Sequence, residues 1–142
     1  MKILISACVY GEDVRWNGSN RRNEEIHEWA EANGFELVPV CPEHELFGTP
    51  RSTIRLRSVD GDIKAFAGKR EVYRQLKDKC EEIEQRYDEV VGFIGIARSP
   101  TCGLSVGVKD LGRTIKAPMH QVGDFPSTEI SSMKTDKNRQ HL

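Results

Sequence analysis

No stretch of this sequence approaches the roughly 20 consecutive apolar residues a helix needs to cross a bilayer. Its most apolar run, Val90 to Ala97, is far shorter. Lys2 leads straight into Ile3-Leu4-Ile5 and polar residues follow soon after, so the expected secretory signal pattern is missing. The net charge of −1 removes any general electrostatic reason to expect nucleic acid as a partner. There is no C-x-x-C pair and no internal repeat. These absences lead to the expectation of a cytoplasmic protein with no membrane partner. In such a reducing setting the four cysteines present serve as ligands or catalysts rather than bridges.

What is present is a chain of 142 residues, 37% hydrophobic and 30% charged, enough for one domain with a real core. Lys2 to Cys8 reads as a short buried strand, followed by a loop from Val9 to Asn20. Asn23 is placed to cap a helix with Glu24 and Glu25 in its first turn, and Ile26, Trp29 and Ala30 give it a one-sided apolar stripe. Asn33-Gly34 stops that helix. Phe35 to Val40 forms a second strand, ended by Cys41-Pro42-Glu43. A βαβ unit of this kind makes the two strands parallel neighbours. Ile54 to Arg57 alternates like a half-exposed strand, and Asp60-Gly61-Asp62 predicts a hairpin turn into Ile63 to Phe66. A long helix is predicted from Lys69 to Tyr87, with Val72, Leu76, Cys80, Ile83 and Tyr87 on one face. Cys80 within that stripe reads as a core residue. Val90 to Ala97 lacks alternation, as a strand covered on both faces does. Leu104 to Val108 fits a further short strand or a loop. From Asp124 the composition turns polar, so residues 124–142 are expected to be a solvated, mobile tail after a domain of residues 1–123. The fold class that follows is a single α/β domain with a mostly parallel sheet flanked by helices.

Three of the four cysteines, Cys8, Cys41 and Cys102, sit at or just past the ends of the three apolar runs. In an open parallel sheet that edge is where ligands bind, so three thiols are expected to converge there. Four chemistries compete for them. A disulfide finds no support in the spacing or the compartment. A phosphatase-type loop needs an arginine six positions after its cysteine, whereas Arg15 follows Cys8 by seven. Zinc gains weight from Cys41-Pro42-Glu43-His44, since C-x-x-H spacing with Cys8 and Cys102 would complete a Cys₃His site. A [4Fe–4S] cluster on three thiolates is compatible with dispersed cysteines, and the missing fourth protein ligand would leave one iron open as a Lewis acid.

Ser6-Ala7-Cys8 with Gly11 and Arg15, Pro39-Val40-Cys41-Pro42-Glu43, Pro50-Arg51 and Ser99-Pro100-Thr101-Cys102-Gly103 together resemble the thiouracil desulfidase (TudS-type) family, over roughly residues 1–108. The resemblance implies a single Rossmann-like domain carrying an oxygen-sensitive [4Fe–4S] cluster on Cys8, Cys41 and Cys102. It implies non-redox removal of sulfur from a thiolated uracil, giving uracil and hydrogen sulfide, and it places the family's functional glutamate and serine on Glu43 and Ser99. In that chemistry Glu43, two residues from a ligand, would be the general base, and Ser99 would orient substrate or relay a proton. Arg15, Arg51, Arg55 and Arg57 are candidates to hold the phosphate of a thionucleotide, and Trp16 to stack on a pyrimidine. The motifs leave open whether the substrate is a base, nucleoside, nucleotide or thiolated tRNA. The reading from a different class is a non-catalytic Cys₃His zinc module that recognises a partner through the same edge.

Overall fold

The computed structural model describes residues 1–131. Strand β1 (Lys2–Ser6) carries Leu4 and Ile5 fully buried in succession, as a strand covered on both faces must. A single helical turn, α1 (Ala7–Tyr10), takes over directly. Cys8 therefore lies on that turn, not at the end of the strand. Helix α2 (Glu24–Ala32) is capped as its sequence predicts, the Asn23 side chain accepting from the Ile26 amide at 3.0 Å. Strand β2 (Glu36–Val40) then pairs parallel with β1, Ser6 opposite Val40.

The next element, α3 (Pro42–Phe47), is a helix where the sequence reading saw only the end of a strand. Pro42 at its first position suits a helix start, because its missing N–H would have no partner there anyway. Strands β3 (Ile54–Val59) and β4 (Asp62–Ala67) form the expected hairpin, Val59 opposite Asp62, with Asp60 and Gly61 both at positive φ. Strand β5 (Arg70–Glu71) adds to β4, so helix α4 (Tyr73–Arg86) starts later than predicted. The Glu71 carboxylate holds that junction, accepting from the Ala65 amide at 3.0 Å and the Tyr73 amide at 2.9 Å. Leu76, Cys80 and Ile83 form the buried face of α4, and Cys80 is a fully buried core thiol.

Strand β6 (Val90–Ile96) pairs parallel with β1. A small antiparallel ribbon, β7 (Val106–Gly107) with β8 (Thr114–Ile115), and a 3₁₀ turn at Pro118–His120 follow. The segment expected to be a solvated tail instead supplies β9 (Ser127–Ile130), parallel to β6 with Phe93 opposite Ser127. An edge strand tolerates the polar residues that disguised it, since only one side of it meets the sheet. Residues 132–142 lie outside the described residues.

The four-stranded sheet thus runs β2-β1-β6-β9, every pairing parallel, flanked by helices and accompanied by a three-stranded antiparallel sheet, β3-β4-β5. One core cluster lines the parallel sheet around Leu4, Val9, Ile83, Phe93 and Met119, and a second joins the hairpin to α4 through Leu56, Ala65 and Leu76. No helix among the described residues is long and apolar enough to cross a membrane. With β1, β2 and β6 parallel and adjacent, their carboxyl ends share one edge.

Candidate functional site

That shared edge opens into a cavity of about 340 Å³. Each of the three strands delivers a cysteine to its wall by a different local device. After β1 the chain turns at once into α1, placing Cys8 on the first helical turn. After β2, Cys41 is the N-cap of α3, its Sγ accepting from the His44 amide at 3.4 Å. After β6 the Ser99–Gly103 turn carries Cys102, and the Ser99 hydroxyl oxygen folds that turn by accepting from the amides of Thr101 (3.2 Å) and Cys102 (2.9 Å). The turn is also fixed from behind. His120 donates Nε2–H to the Cys102 carbonyl at 2.8 Å, and burial lowers that imidazole's pKa. Gly95 makes the close approach possible, since a Cβ there would stand 1.9 Å from the Cys102 carbonyl oxygen.

Burial is the main cause that raises the pKa of each of the three cavity thiols. It pushes Cys8 up to about 11, with the nearby Cys41 adding to the shift and Arg15 opposing it. Cys41 rises too, with the His44 amide and Arg51 opposing. Cys102 is likewise pushed well above its usual range by burial. Thiols pushed upward in this way are poorer nucleophiles, which adds to the seven-residue Cys8–Arg15 spacing against the phosphatase-type reading. All four cysteines are free.

Glu43 lies on α3 and is buried, with both carboxylate oxygens engaged. Thr101 donates its hydroxyl to Oε2 at 2.7 Å, and Arg51 donates Nε–H to Oε1 at 3.2 Å. The Arg51 guanidinium also donates to the Gly48 carbonyl at 3.0 Å and the Thr49 hydroxyl at 2.8 Å. Its own amide bonds the Trp16 carbonyl at 2.9 Å, closing the loop that carries Arg15 and Trp16 over the cavity. Among the described residues the Arg15 guanidinium has one long hydrogen bond, to Ser19 Oγ at 3.4 Å.

The cavity therefore gathers Cys8, Cys41, Cys102, Glu43, Ser99, Arg15, Arg51 and Trp16, each of which the sequence singles out. It does not gather His44, whose Nδ1 pairs with Thr49 Oγ1 at 2.7 Å on the exposed side of α3. Nor does it gather Arg55 and Arg57, which point outward on β3, Arg57 toward Asp110 at 3.5 Å. Four polar residues of the wall, Ser6, Thr53, Arg98 and Thr101, were given no role by the sequence reading. Thr101 stands inside a recognised motif, yet only the fold shows its hydroxyl on Glu43. Ser6 ends β1, and its Oγ is buried with no hydrogen-bond partner.

Three free thiols on one wall are a donor set that fits a sulfur-ligated cluster. A tetrahedral zinc draws four ligands to about 2.0–2.3 Å from one centre. A cluster's thiolates each bind a different iron, so they stand further apart, and an all-thiol wall with an unpartnered hydroxyl beside it fits such a group.

The family described as 2-thiouracil desulfurase matches residues 3–123 of the chain. Among solved structures, the [4Fe–4S]-dependent thiouracil desulfidase TudS aligns with a TM-score of 0.66 at 18% sequence identity, over 92% of this chain and 90% of its own. At that identity the likeness is one of fold. No curated protein matches the chain.

Proposed function

This chain belongs to the 2-thiouracil desulfurase family, and from that premise we propose that its cavity holds a [4Fe–4S] cluster on Cys8, Cys41 and Cys102 and removes sulfur from a thiolated uracil. The observation that carries the reading is the meeting of those three thiols with a buried, doubly held carboxylate in one cavity. Bound there, the cluster would supply one iron without a protein ligand, a soft Lewis acid for a thiocarbonyl sulfur.

The remaining work falls to the chain's own side chains. Glu43 keeps a second lone pair on each oxygen beyond the bonds from Arg51 and Thr101, so it can accept a proton from a water added at the ring carbon. Ser99 Oγ already accepts from two amides, which leaves its O–H to donate to a substrate carbonyl or ring nitrogen. Arg51 is engaged by Glu43, Gly48 and Thr49, so its part is to fix the carboxylate. Arg15 and Trp16 are then the contacts for the substrate's polar and aromatic surfaces. The sum is thiocarbonyl plus water giving carbonyl plus hydrogen sulfide. No electron enters, so neither flavin nor reductase is needed. An oxygen-sensitive cluster suits the cytoplasm.

Anaerobic reconstitution should give a brown protein with about four irons per chain, and 2- or 4-thiouracil should lose its thiocarbonyl absorbance as sulfide appears. Glu43→Ala should keep the iron and lose sulfide release. Turnover at the wild-type rate by that variant would remove Glu43 as the base. A colourless protein holding one zinc, lost on His44→Ala, would overturn the reading in favour of a zinc module.

A further inference from the structure

Ser6 ends β1, the strand that lies between β2 and β6, so it stands among the three strand ends that lead to the cysteines. It precedes Cys8 by two residues, and across the ladder it pairs with Val40, the residue before Cys41. On the third side, Ile5 just before it pairs with Ile94 of β6, the strand that leads into the Cys102 turn. The residue is 2% exposed and lines the cavity, yet its Oγ completes no hydrogen bond within the described residues. Buried hydroxyls are normally satisfied, so an unpartnered one on a residue of the cavity wall marks a missing acceptor. The other buried polar side-chain atom without a partner among the described residues, His120 Nδ1, belongs to a residue outside the cavity wall, packed edge-on against Phe93 at 4.9 Å. Among the described residues, Ser6 alone combines a buried, unpartnered polar atom with a place in the cavity wall.

We propose that Ser6 donates its O–H to sulfur, either a sulfide of the bound cluster or its Cys102 ligand, and thereby raises the cluster's reduction potential. The inference rests on the reading that a [4Fe–4S] cluster occupies this cavity. Hydrogen bonds to cluster sulfurs are among the factors that set the potential, because they stabilise the more negative, reduced form. The same bond draws electron density from the irons, which strengthens the open one as a Lewis acid. Alanine at this position would leave the sulfur without that donor while keeping the three thiols.

The test is spectroelectrochemistry on the anaerobically reconstituted full chain. Ser6→Ala should retain wild-type iron and sulfide content and show a midpoint shifted to lower potential. Ser6→Thr, which restores the hydroxyl, should return toward the wild-type midpoint, and Ser6→Val, equal to it in bulk, should not. If the alanine variant fails to fold, the threonine and valine pair decides the matter. In the wild type itself, exchange into D₂O should shift the Fe–S stretching bands in resonance Raman spectra, and the absence of a shift overturns the proposal. Equal midpoints for the threonine and valine variants also overturn it, reducing Ser6 to a small residue that fits a tight strand end. A wild-type protein that binds no iron refutes the cluster reading itself. A cluster-bearing wild type whose variants share its midpoint refutes only the role of Ser6.

Discussion

Thr101 and Arg51 hold the Glu43 carboxylate from opposite sides, and the two bonds differ in what their loss should do. Thr101→Val keeps the shape and removes the donor to Oε2, leaving a buried charged acceptor short of one bond. Urea denaturation should show a loss of about 1–3 kcal/mol. A misaimed base lowers kcat more than it raises KM, so steady-state rates should separate accordingly. Arg51→Met removes the counter-charge of a carboxylate whose side chain is 12% exposed, and breaking a pair buried to that degree costs about 3–5 kcal/mol. Retention of full stability by Arg51→Met would show that the pair is solvated rather than buried. At this scale the cysteines were legible in sequence because each ends an apolar run, and burial of a run fixes where its end must lie. Thr101 and Ser6 were not, because a hydroxyl gains meaning only from what the fold places opposite it. Arg55 and Arg57 were candidates beside Arg51 to hold a phosphate, though only Arg51 stood in a motif. The alternation of β3 sends them to the solvent side.

Among the elements, the contact between β6 and the Cys102 turn is the tightest in the site. Gly95→Ala would drive a methyl group to 1.9 Å from the Cys102 carbonyl oxygen and 2.8 Å from His120 Nε2. Neither the backbone nor the His120 hydrogen bond can yield without moving the turn. Overpacking of this kind costs about 1–3 kcal/mol or more, and the variant should bind less iron on reconstitution even where it folds. Wild-type iron content in Gly95→Ala would show that the turn can shift without losing its thiol. A second element contact joins α3 to α4. Arg86 reaches both oxygens of Glu45, at 3.0 and 2.8 Å, with Lys79 at 3.7 Å. The Arg86 hydrogen bonds hold the Glu45 carboxyl below its ordinary range. The folded state therefore binds that proton less readily than the unfolded state, so the stabilisation is complete above pH 4.5 and fades as pH falls through the depressed value. For a partly exposed pair it amounts to about 0.2–1 kcal/mol at neutral pH. Glu45→Gln should lose that much at pH 7 and progressively less in acid, read from thermal melts across the pH range. Elements with a long period were legible here, the stripe of α4 and the unbroken runs of β1 and β6 above all. The six-residue α3 has no room for a stripe, and the two-residue β5 none for alternation, so both emerged only from the fold.

At the scale of the whole molecule, the outer strand β9 decides where the domain ends. The composition shift at Asp124 suggested a boundary at residue 123, and the family match stops there as well. The sheet does not. The β9 backbone covers the outer edge of β6, with the Phe93 amide on the Pro126 carbonyl at 3.1 Å and the Ala97 amide on the Ile130 carbonyl at 2.7 Å. The Glu129 carboxylate reaches on to the Leu104 amide at 2.6 Å, just past the Cys102 turn. Polarity hid the strand because a sheet edge needs backbone pairing on one side and little apolar surface. A chain ended at Gly123 should therefore keep the three strands that carry Cys8, Cys41 and Cys102 but leave β6 as an open, apolar edge. Unpaired edges of that kind template association, so the shortened chain should melt at lower temperature and form aggregates on a sizing column. Each buried amide or carbonyl left without its partner costs about 1–3 kcal/mol, and several are freed together. Because Glu129 leaves with β9, the Leu104 amide beside the cysteine turn loses its acceptor, and iron retention should fall along with stability. A monomeric chain of 123 residues with the full-length melting temperature and iron content would put the boundary back where composition first suggested it.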